Sequence, residues 1–394
     1  MALRFLTSGE SHGKCLNAII EGVPAGINID KNFINNELKR RQVGFGRGGR
    51  MLIETDTIEI KSGVRHGKSI ASPICLEVKN KDWENWQIAM NDEPQNLEDN
   101  EIAQIIATKK ITKLRPGHAD FAGAVKYKFD DIRNVLERSS ARETTTRVAV
   151  GAIAKLILNE FNIQGFSHVI EIGQIKANTT NLNYSEIKEK AENSDLRCAD
   201  ENAYEQMKQT IINAQEMGTT LGGKIEIIFE NLPVGLGSYV HWDKRLDGIF
   251  AQALMSIPAV KSVEIGLGEK SGRPLGSEVH DEIYLENNKI TRKTNNAGGL
   301  EGGMTNGEPL VITITMKPIP TMKTPLKSIN FHSKESIEAH FERADVCAVP
   351  ACGVVAEAMC AIVLANALLE KFGQDNIQEI KSAFQSYKKH LEQI

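Results

Sequence analysis

A layered fold that mixes helices and strands, of the α/β or α+β class, is predicted by three features of the sequence. Short β-like runs recur along the chain, apolar helix-like stretches lie between them, and 394 residues are enough to bury a large core. Hydrophobic residues make up 41 %, and 47 basic against 51 acidic side chains leave a net charge of −4. That balance excludes a disordered or fibrous protein and a globally basic nucleic-acid binder.

The strand-like runs are Ala18-Ile-Ile-Glu21, Met51-Leu-Ile-Glu-Thr55, Thr57-Ile-Glu-Ile60, Ile74-Cys-Leu-Glu-Val78, Lys224-Ile-Glu-Ile-Ile-Phe229 and Leu310-Val-Ile-Thr-Ile-Thr315. Several alternate apolar with polar residues, as half-buried strands do. Ser140-Ala-Arg-Glu143 has capping-box spacing, and Val148 to Leu158 continues it as a buried helix. A second buried helix is predicted from Gly353 to Phe372, stopped by Gly373. Two stretches read as peripheral: Lys79 to Lys110, polar with Trp83 and Trp86, as a surface excursion, and Lys176 to Gln215 as charged, helix-prone chain. Ala18 to Gly26 and Ile227 to Gly235 both run from a strand into a Pro-x-Gly turn. Duplicated halves and two ordinary strand–turn units explain that echo equally well.

The six cysteines (Cys15, Cys75, Cys198, Cys347, Cys352, Cys360) form no C-x-x-C pair, and the N-terminal residues hold no apolar signal stretch. Reduced thiols in a soluble cytoplasmic protein are expected. Val346 to Leu369 imitates a membrane span but carries Glu357, and its Pro350, Ala, Gly and Cys residues suit a core helix better.

Chemistry is concentrated in glycine-rich loops. Lys39-Arg-Arg-Gln-Val-Gly-Phe-Gly-Arg-Gly-Gly-Arg50 places five cations in twelve residues with no acid. Its glycines let the backbone approach a ligand, and planar guanidinium groups bind phosphate and carboxylate bidentately. A pocket for a polyanionic small molecule is the functional reading, against a solvated basic loop. Gly44, Gly46 and Gly49 imitate a dinucleotide fingerprint, but a helix-like segment precedes them where that motif requires a strand. His12 in Gly9-Glu-Ser-His-Gly13 and His118 in Arg115-Pro-Gly-His-Ala-Asp120 sit in turns suited to proton transfer. Arg138-Ser-Ser-Ala-Arg142 puts two arginines at i, i+4 beside a helix start, where Ser139 and Ser140 can serve an anion or cap the helix. Lys317-Pro-Ile-Pro-Thr321 is a rigid turn with a cation and a hydroxyl. Asp345 precedes the last apolar helix, as its anchor or as a catalytic carboxylate. Arg65-His66-Gly67 is a rival phosphohistidine-type signal, and no His/Cys/Asp cluster has metal spacing.

Together these segments resemble the chorismate synthase family. The Gly9 to Gly13, Arg41 to Arg50, Arg115 to Asp120, Glu137-Arg-Ser-Ser-Ala-Arg-Glu-Thr-Thr145, Gly302-Gly-Met-Thr-Asn-Gly307, Lys317 to Thr321 and Arg343-Ala-Asp345 motifs occur in family order across nearly the whole chain. The resemblance implies an α+β fold with a β-α-β sandwich core, internal pseudo-symmetry and peripheral helices and loops. It implies a single domain over 1–394, with pseudo-repeat halves near 1–215 and 216–394. The implied activity is that of a carbon–oxygen lyase in aromatic amino-acid biosynthesis. It converts 5-enolpyruvylshikimate 3-phosphate to chorismate and phosphate by anti 1,4-elimination with reduced FMN, the final step of the shikimate pathway. A substrate with one phosphate and two carboxylates suits the Arg-rich loops independently.

By the same resemblance His12 protonates the departing phosphate, His118 holds the reduced flavin in its protonation state, and Asp345 assists proton removal at the flavin N5. Arg41, Arg47, Arg115, Arg142 and Arg343 clamp substrate anions. Flavin contacts map onto Arg138, Ser139, Ser140, Pro258, Ala259, Gly302, Lys317, Pro318, Ile319, Pro320, Thr321 and Arg343. Pro258 stands where Asn is common, which leaves that contact to the backbone. Arg41 and Arg47 are also candidates for NADP, whose reduced form enters only indirectly through flavin reduction. A homotetramer served by an external flavin reductase is implied, with no nucleic-acid or membrane partner. Two other classes remain at this point: a histidine-dependent phosphatase using His66 and no flavin, and an RNA-binding module whose Arg/Gly loop would bind in a salt-sensitive way.

Overall fold

Two buried helices, with a third, amphipathic one alongside, occupy the centre of the molecule between two antiparallel sheets. The computed structural model describes residues 3–48, 55–286, 289–342 and 344–393, so most of the strand expected from Met51 lies outside the described residues. In the first sheet, β1 (Arg4–Ser8), β2 (Cys15–Glu21), β3 (Ile58–Ser62) and β4 (Ile74–Lys79) are ordered β1-β2-β4-β3. In the second, β5 (Gln164–Ile172), β6 (Ile175–Lys176), β7 (Gly223–Glu230), β8 (Val260–Ile265) and β9 (Leu310–Met316) are ordered β8-β9-β7-β5-β6. Strand periodicity accounts for the inward faces. Leu16, Ala18 and Ile20 of β2 pair directly with Val78, Leu76 and Ile74 of β4, and all six are buried. Along β9, alternate residues from Leu310 to Met316 are buried.

The helices are α1 (Lys31–Gln42), α2 (Asn100–Lys109), α3 (Asp120–Tyr127), α4 (Arg133–Ser139), α5 (Thr144–Asn159), α6 (Tyr184–Asn193), α7 (Glu201–Glu216), α8 (Leu246–Met255), α9 (Val349–Phe372) and α10 (Ile377–Leu391). Helix α5 lies against the first sheet and α9 against β5 and β7 of the second, and the two pack on each other with α1 alongside. This is the α+β sandwich expected from the sequence. Small residues set the spacing. A Cβ at Gly151 would stand 2.3 Å from the Ala358 Cβ, and one at Gly353 would stand 2.7 Å from the Ser167 Oγ. Ser140 caps a single 3₁₀ turn, Ala141–Glu143, that leads into α5, so the capping signal marks a two-step entry to the helix.

Among the described residues α9 alone is long and apolar enough to cross a membrane, and 94 % of its most apolar window is buried inside the protein. Its mid-helix acid, Glu357, is fully buried. Glu357 Oε2 meets Arg40 Nη1 at 2.9 Å and Lys155 Nζ at 2.7 Å. Its Oε1 accepts from Ser167 Oγ at 2.6 Å and from Arg197 Nη2 at 3.1 Å. Glu37 and Glu192 bind the outer sides of the same cations. Burial alone would raise the Glu357 carboxyl, but the Arg40, Lys155 and Arg197 charges hold it well below its ordinary value.

The Pro-x-Gly echo also has a counterpart in hydrogen bonds. Ser69 Oγ donates to the Pro24 carbonyl at 2.6 Å and accepts from Ile27 N–H at 2.9 Å. Thr305 Oγ1 donates to the Pro233 carbonyl at 2.6 Å and accepts from Leu236 N–H at 2.8 Å. The second sheet, however, draws β5 from before residue 215.

Glu357→Gln leaves buried cations without their shared partner. It is expected to lower unfolding free energy at neutral pH by about 3–5 kcal/mol, read from urea midpoints. Because the folded carboxyl is depressed, the wild-type advantage is present above the ordinary value of 4.5 and shrinks as pH falls below it.

Candidate active site

The C-terminal end of α1 and the N-terminal ends of α5 and α9 meet at a cavity of about 480 Å³, a size ordinary for small-molecule sites. Helix N-termini present free N–H groups and a positive dipole, which favours anions at this end. Arg41, Arg47, Arg115 and Arg142 all line it.

Each of these cations is held by an acid or a carbonyl, buried or partly buried. Asp120, fully buried at the start of α3, accepts from Arg115 Nε at 2.8 Å, Arg115 Nη2 at 2.7 Å and the Arg115 backbone N–H at 3.0 Å. Burial would raise Asp120, but the Arg115 hydrogen bonds and charge, with His118 nearby, outweigh it and hold the carboxyl far below the usual range. Arg142 Nη1 bonds both oxygens of buried Asp56, at 2.6 and 2.8 Å, while its Nε and Nη2 share Asn80 Oδ1. Arg41 bonds Thr144 Oγ1 through Nε at 3.1 Å and approaches Asp56 at 3.5 Å. Burial, with the Arg142 and Arg47 charges nearby, pushes Arg41 down to about 10 against the pull of Asp56, so it stays charged at neutral pH.

His12 and His118 both reach the cavity. His12 follows β1, with Nδ1 2.8 Å from Glu137 Oε1 and its ring centroid 4.0 Å from that of Trp86. The stretch read as a surface excursion is mostly exposed, but Trp86 turns inward as a wall beside this histidine. At His118, the Ala119 N–H lies 2.9 Å and Arg115 Nη2 3.2 Å from Nδ1. Asp120 Oδ1 is also 3.1 Å from Nδ1 but is already engaged by Arg115. Two donors on Nδ1 assign the proton of the neutral ring to Nε2.

The Arg/Gly loop reaches across to residue 345. Arg47 Nη1 pairs with Asp345 Oδ2 at 2.7 Å, and the Gly48 N–H donates to Asp345 Oδ1 at 2.6 Å. Gly46, at φ +83°, lets the loop press against Cys347, whose neighbour Val346 donates to the Gly46 carbonyl at 2.8 Å.

The other expected contact residues divide. Ser139, Ser140, Pro258 and Ala259 line the cavity, as do Lys317, Ile319, Pro320 and Thr321. Pro318 is not among the lining residues, and Gly302 sits in the Leu300–Glu301 and Met304–Thr305 hairpin. Arg138 bonds the Thr7 carbonyl at 2.9 Å and the Gly9 carbonyl at 3.2 Å, holding the strand end that carries His12. Arg343 lies outside the described residues. His66 occupies an exposed hairpin tip at φ +50°, away from the cavity. Sequence reading missed Asp56, Asn80, Trp86 and Glu137 as members of the site. Only Glu137 carried a local signal, being four residues after Arg133 and next to Arg138.

Comparison with known proteins agrees over the whole chain. The family model for chorismate synthase matches residues 3–369. "Chorismate synthase 2" of Bacillus thuringiensis subsp. konkukian is 52 % identical over 394 residues, all of both chains. "Chorismate synthase" of Geobacter sulfurreducens is 51 % identical, with 99 % of each chain covered. A solved structure named "Crystal Structure of Chorismate Synthase" matches with TM-score 0.80 and 42 % identity, covering 100 % of this chain and 99 % of that one.

A Cβ at Gly48 would stand 2.9 Å from the Ala344 carbonyl oxygen and 3.3 Å from Asp345 Oδ1. Gly48→Ala therefore forces the loop or the Ala344 backbone to shift and is expected to lower the thermal midpoint. By moving the loop segment that carries Arg47 away from the cavity, it should weaken binding of a phosphate- and carboxylate-bearing ligand about ten-fold, about 1.4 kcal/mol by calorimetric titration.

Proposed function

The chain belongs to the chorismate synthase family, and from that membership we propose that it converts 5-enolpyruvylshikimate 3-phosphate to chorismate and phosphate by a reduced-FMN-dependent anti 1,4-elimination. As a member it is a lyase of the last shikimate-pathway step, serving aromatic amino-acid biosynthesis. The observation that carries the finer reading is the convergence of His12, His118 and Asp345 with four arginines on one cavity.

The cavity's chemistry fits both ligands. One side is cationic and suits a phosphate and two carboxylates. The other is apolar, built from Ile257, Pro258, Met316, Ala348 and Val355, with the Ser139, Ser140 and Thr321 hydroxyls at hand, which suits a flat ring system with polar edges. Ala259, at φ +70°, holds this wall in a backbone conformation that alanine rarely adopts, and its carbonyl accepts the Lys317 N–H at 2.9 Å. When bound, reduced flavin supplies electron density to the departing C–O bond and regains it as the ring C–H bond breaks.

In the elimination the C–O bond breaks with its electron pair on the phosphate oxygen, a ring proton leaves, and the new double bond closes the balance. His12 protonates the departing oxygen from its ring. His118, with Nδ1 engaged by Ala119 and Arg115, offers its Nε2 proton to the cavity. Asp345 is met by two donors in this structure and takes up a proton at its carboxylate during turnover. Arg41, Arg115, Arg142 and Arg47 bind and orient the anions, with Arg47 moving from Asp345 to substrate as the site fills. Arg343 is assigned to the same set. A homotetramer in the cytosol, with flavin reduced by a separate NADPH-using reductase, completes the reading.

Anaerobic assay with enolpyruvylshikimate phosphate, FMN and dithionite, followed by chorismate absorbance, tests it. Turnover is expected only with reduced flavin, and His12→Ala, His118→Ala and Asp345→Ala should each lower kcat by about 10²–10⁴. Absence of turnover from folded, flavin-binding protein would overturn the assignment.

A further inference from the structure

We propose that Glu137 is a positioning residue for the reaction, fixing His12 in the Nδ1–H tautomer so that Nε2 is the atom that exchanges the proton; this rests on the lyase reading above. Glu137 lies on α4 and is 3 % exposed. It grips one residue twice: Oε2 accepts the His12 backbone N–H at 2.7 Å, and Oε1 lies 2.8 Å from His12 Nδ1. Its own carbonyl accepts the Ser11 N–H at 3.0 Å. The whole turn that carries the histidine is therefore docked on α4.

The direction of the ring hydrogen bond follows from the other donors. A backbone N–H can only donate, so Oε2 is an acceptor. Arg133 Nη1 approaches Oε1 at 3.4 Å, and a guanidinium can only donate, so Oε1 is an acceptor too. The proton between Oε1 and Nδ1 then belongs to the imidazole. Trp86 packs against the ring, its own face covered by Arg133 at 4.9 Å and Lys109 at 4.1 Å, so the ring plane is held, and a flip within that plane would break the Nδ1 hydrogen bond. A carboxylate that orients one ring nitrogen sets the chemistry of the other. Glu137 also stabilises the imidazolium that precedes proton donation. When Nε2 gives its proton to the phosphate oxygen, His12 returns to neutral imidazole with Nδ1–H in place.

The test pairs ring-nitrogen NMR of ¹⁵N-histidine-labelled protein with kinetics of Glu137→Gln, which keeps the shape and an acceptor oxygen, and Glu137→Ala, which does not. Expected are a neutral His12 protonated at Nδ1 in wild type, and a mixed or inverted tautomer in Glu137→Gln. Its kcat should fall about 10–100-fold with KM within about 3-fold. A wild-type His12 protonated at Nε2, an unchanged kcat in Glu137→Gln, or an activity loss with the tautomer unmoved would each overturn the proposal. If Glu137→Ala does not fold, Glu137→Gln decides alone. The NMR result stands whether or not the wild type makes chorismate, so failure of the lyase reading is separately visible.

Discussion

The fold turns on one buried carboxylate. Glu357 sits in the middle of a helix that is otherwise apolar, and its two oxygens serve cations from α1, α5 and the segment before α7, plus a hydroxyl from β5. Three acids and three bases meet there, so the cluster is neutral as a group although each member is costly to bury. A hydrophobic replacement could pack as well. What the ionic cluster adds is register, because rotating or sliding α9 by one residue would strand three cations. Arg40 is the link to chemistry. Its neighbour Arg41, one residue nearer the C-terminus of α1, projects into the cavity, and the Arg/Gly loop leaves from the same helix end.

The cavity repeats the device on a smaller scale. Four arginines facing one space would repel each other and scatter among rotamers if left alone. Asp120 clamps Arg115, Asp56 clamps Arg142 and approaches Arg41, and Asp345 holds Arg47. Asp120 and Asp56 are in place before any ligand arrives, so the Arg115, Arg142 and Arg41 guanidinium groups are preorganised and their orientation is set during folding rather than during binding. Asp345 differs: it is itself a reacting group in the proposed chemistry, so the Arg47 contact is one that turnover must exchange. The loop's glycines permit that exchange at close range.

Much of this was legible in the sequence because the reacting residues lie in short motifs. Turns rich in Gly, Pro and Arg announce themselves, and the strands from Ala18, Thr57, Ile74, Lys224 and Leu310 appear where alternation placed them. The supporting residues were not legible. Asp56 meets Arg142 across 86 positions, Glu137 meets His12 across 125, and Glu357 meets Lys155 across 202. Apart from the arginines flanking Glu137, nothing local distinguishes such an acid from a solvated one, since its meaning lies in which partner the fold delivers to it. Trp86 failed for the same reason: a polar neighbourhood predicts exposure, and only the tertiary position of His12 turns the ring inward.

The Pro-x-Gly echo shows the opposite case, where local sequence and distant contact agree. After β2 and after β7, both interior strands of their sheets, the chain must turn sharply, and Gly26 at φ +87° and Gly235 at φ +82° permit it. Each turn buries a proline carbonyl and an amide that need partners. One hydroxyl satisfies both in each case, Ser69 in the first and Thr305 in the second, and the backbone of the same residue closes the turn by bonding Gly26 or Gly235. The two hydroxyls come from unrelated local settings, a short exposed-side hairpin and the strand pair around Gly302. The recurring element is therefore the bonding problem and its solution, and it ties Thr305, and with it the Gly302 turn, to the end of the central strand of the second sheet.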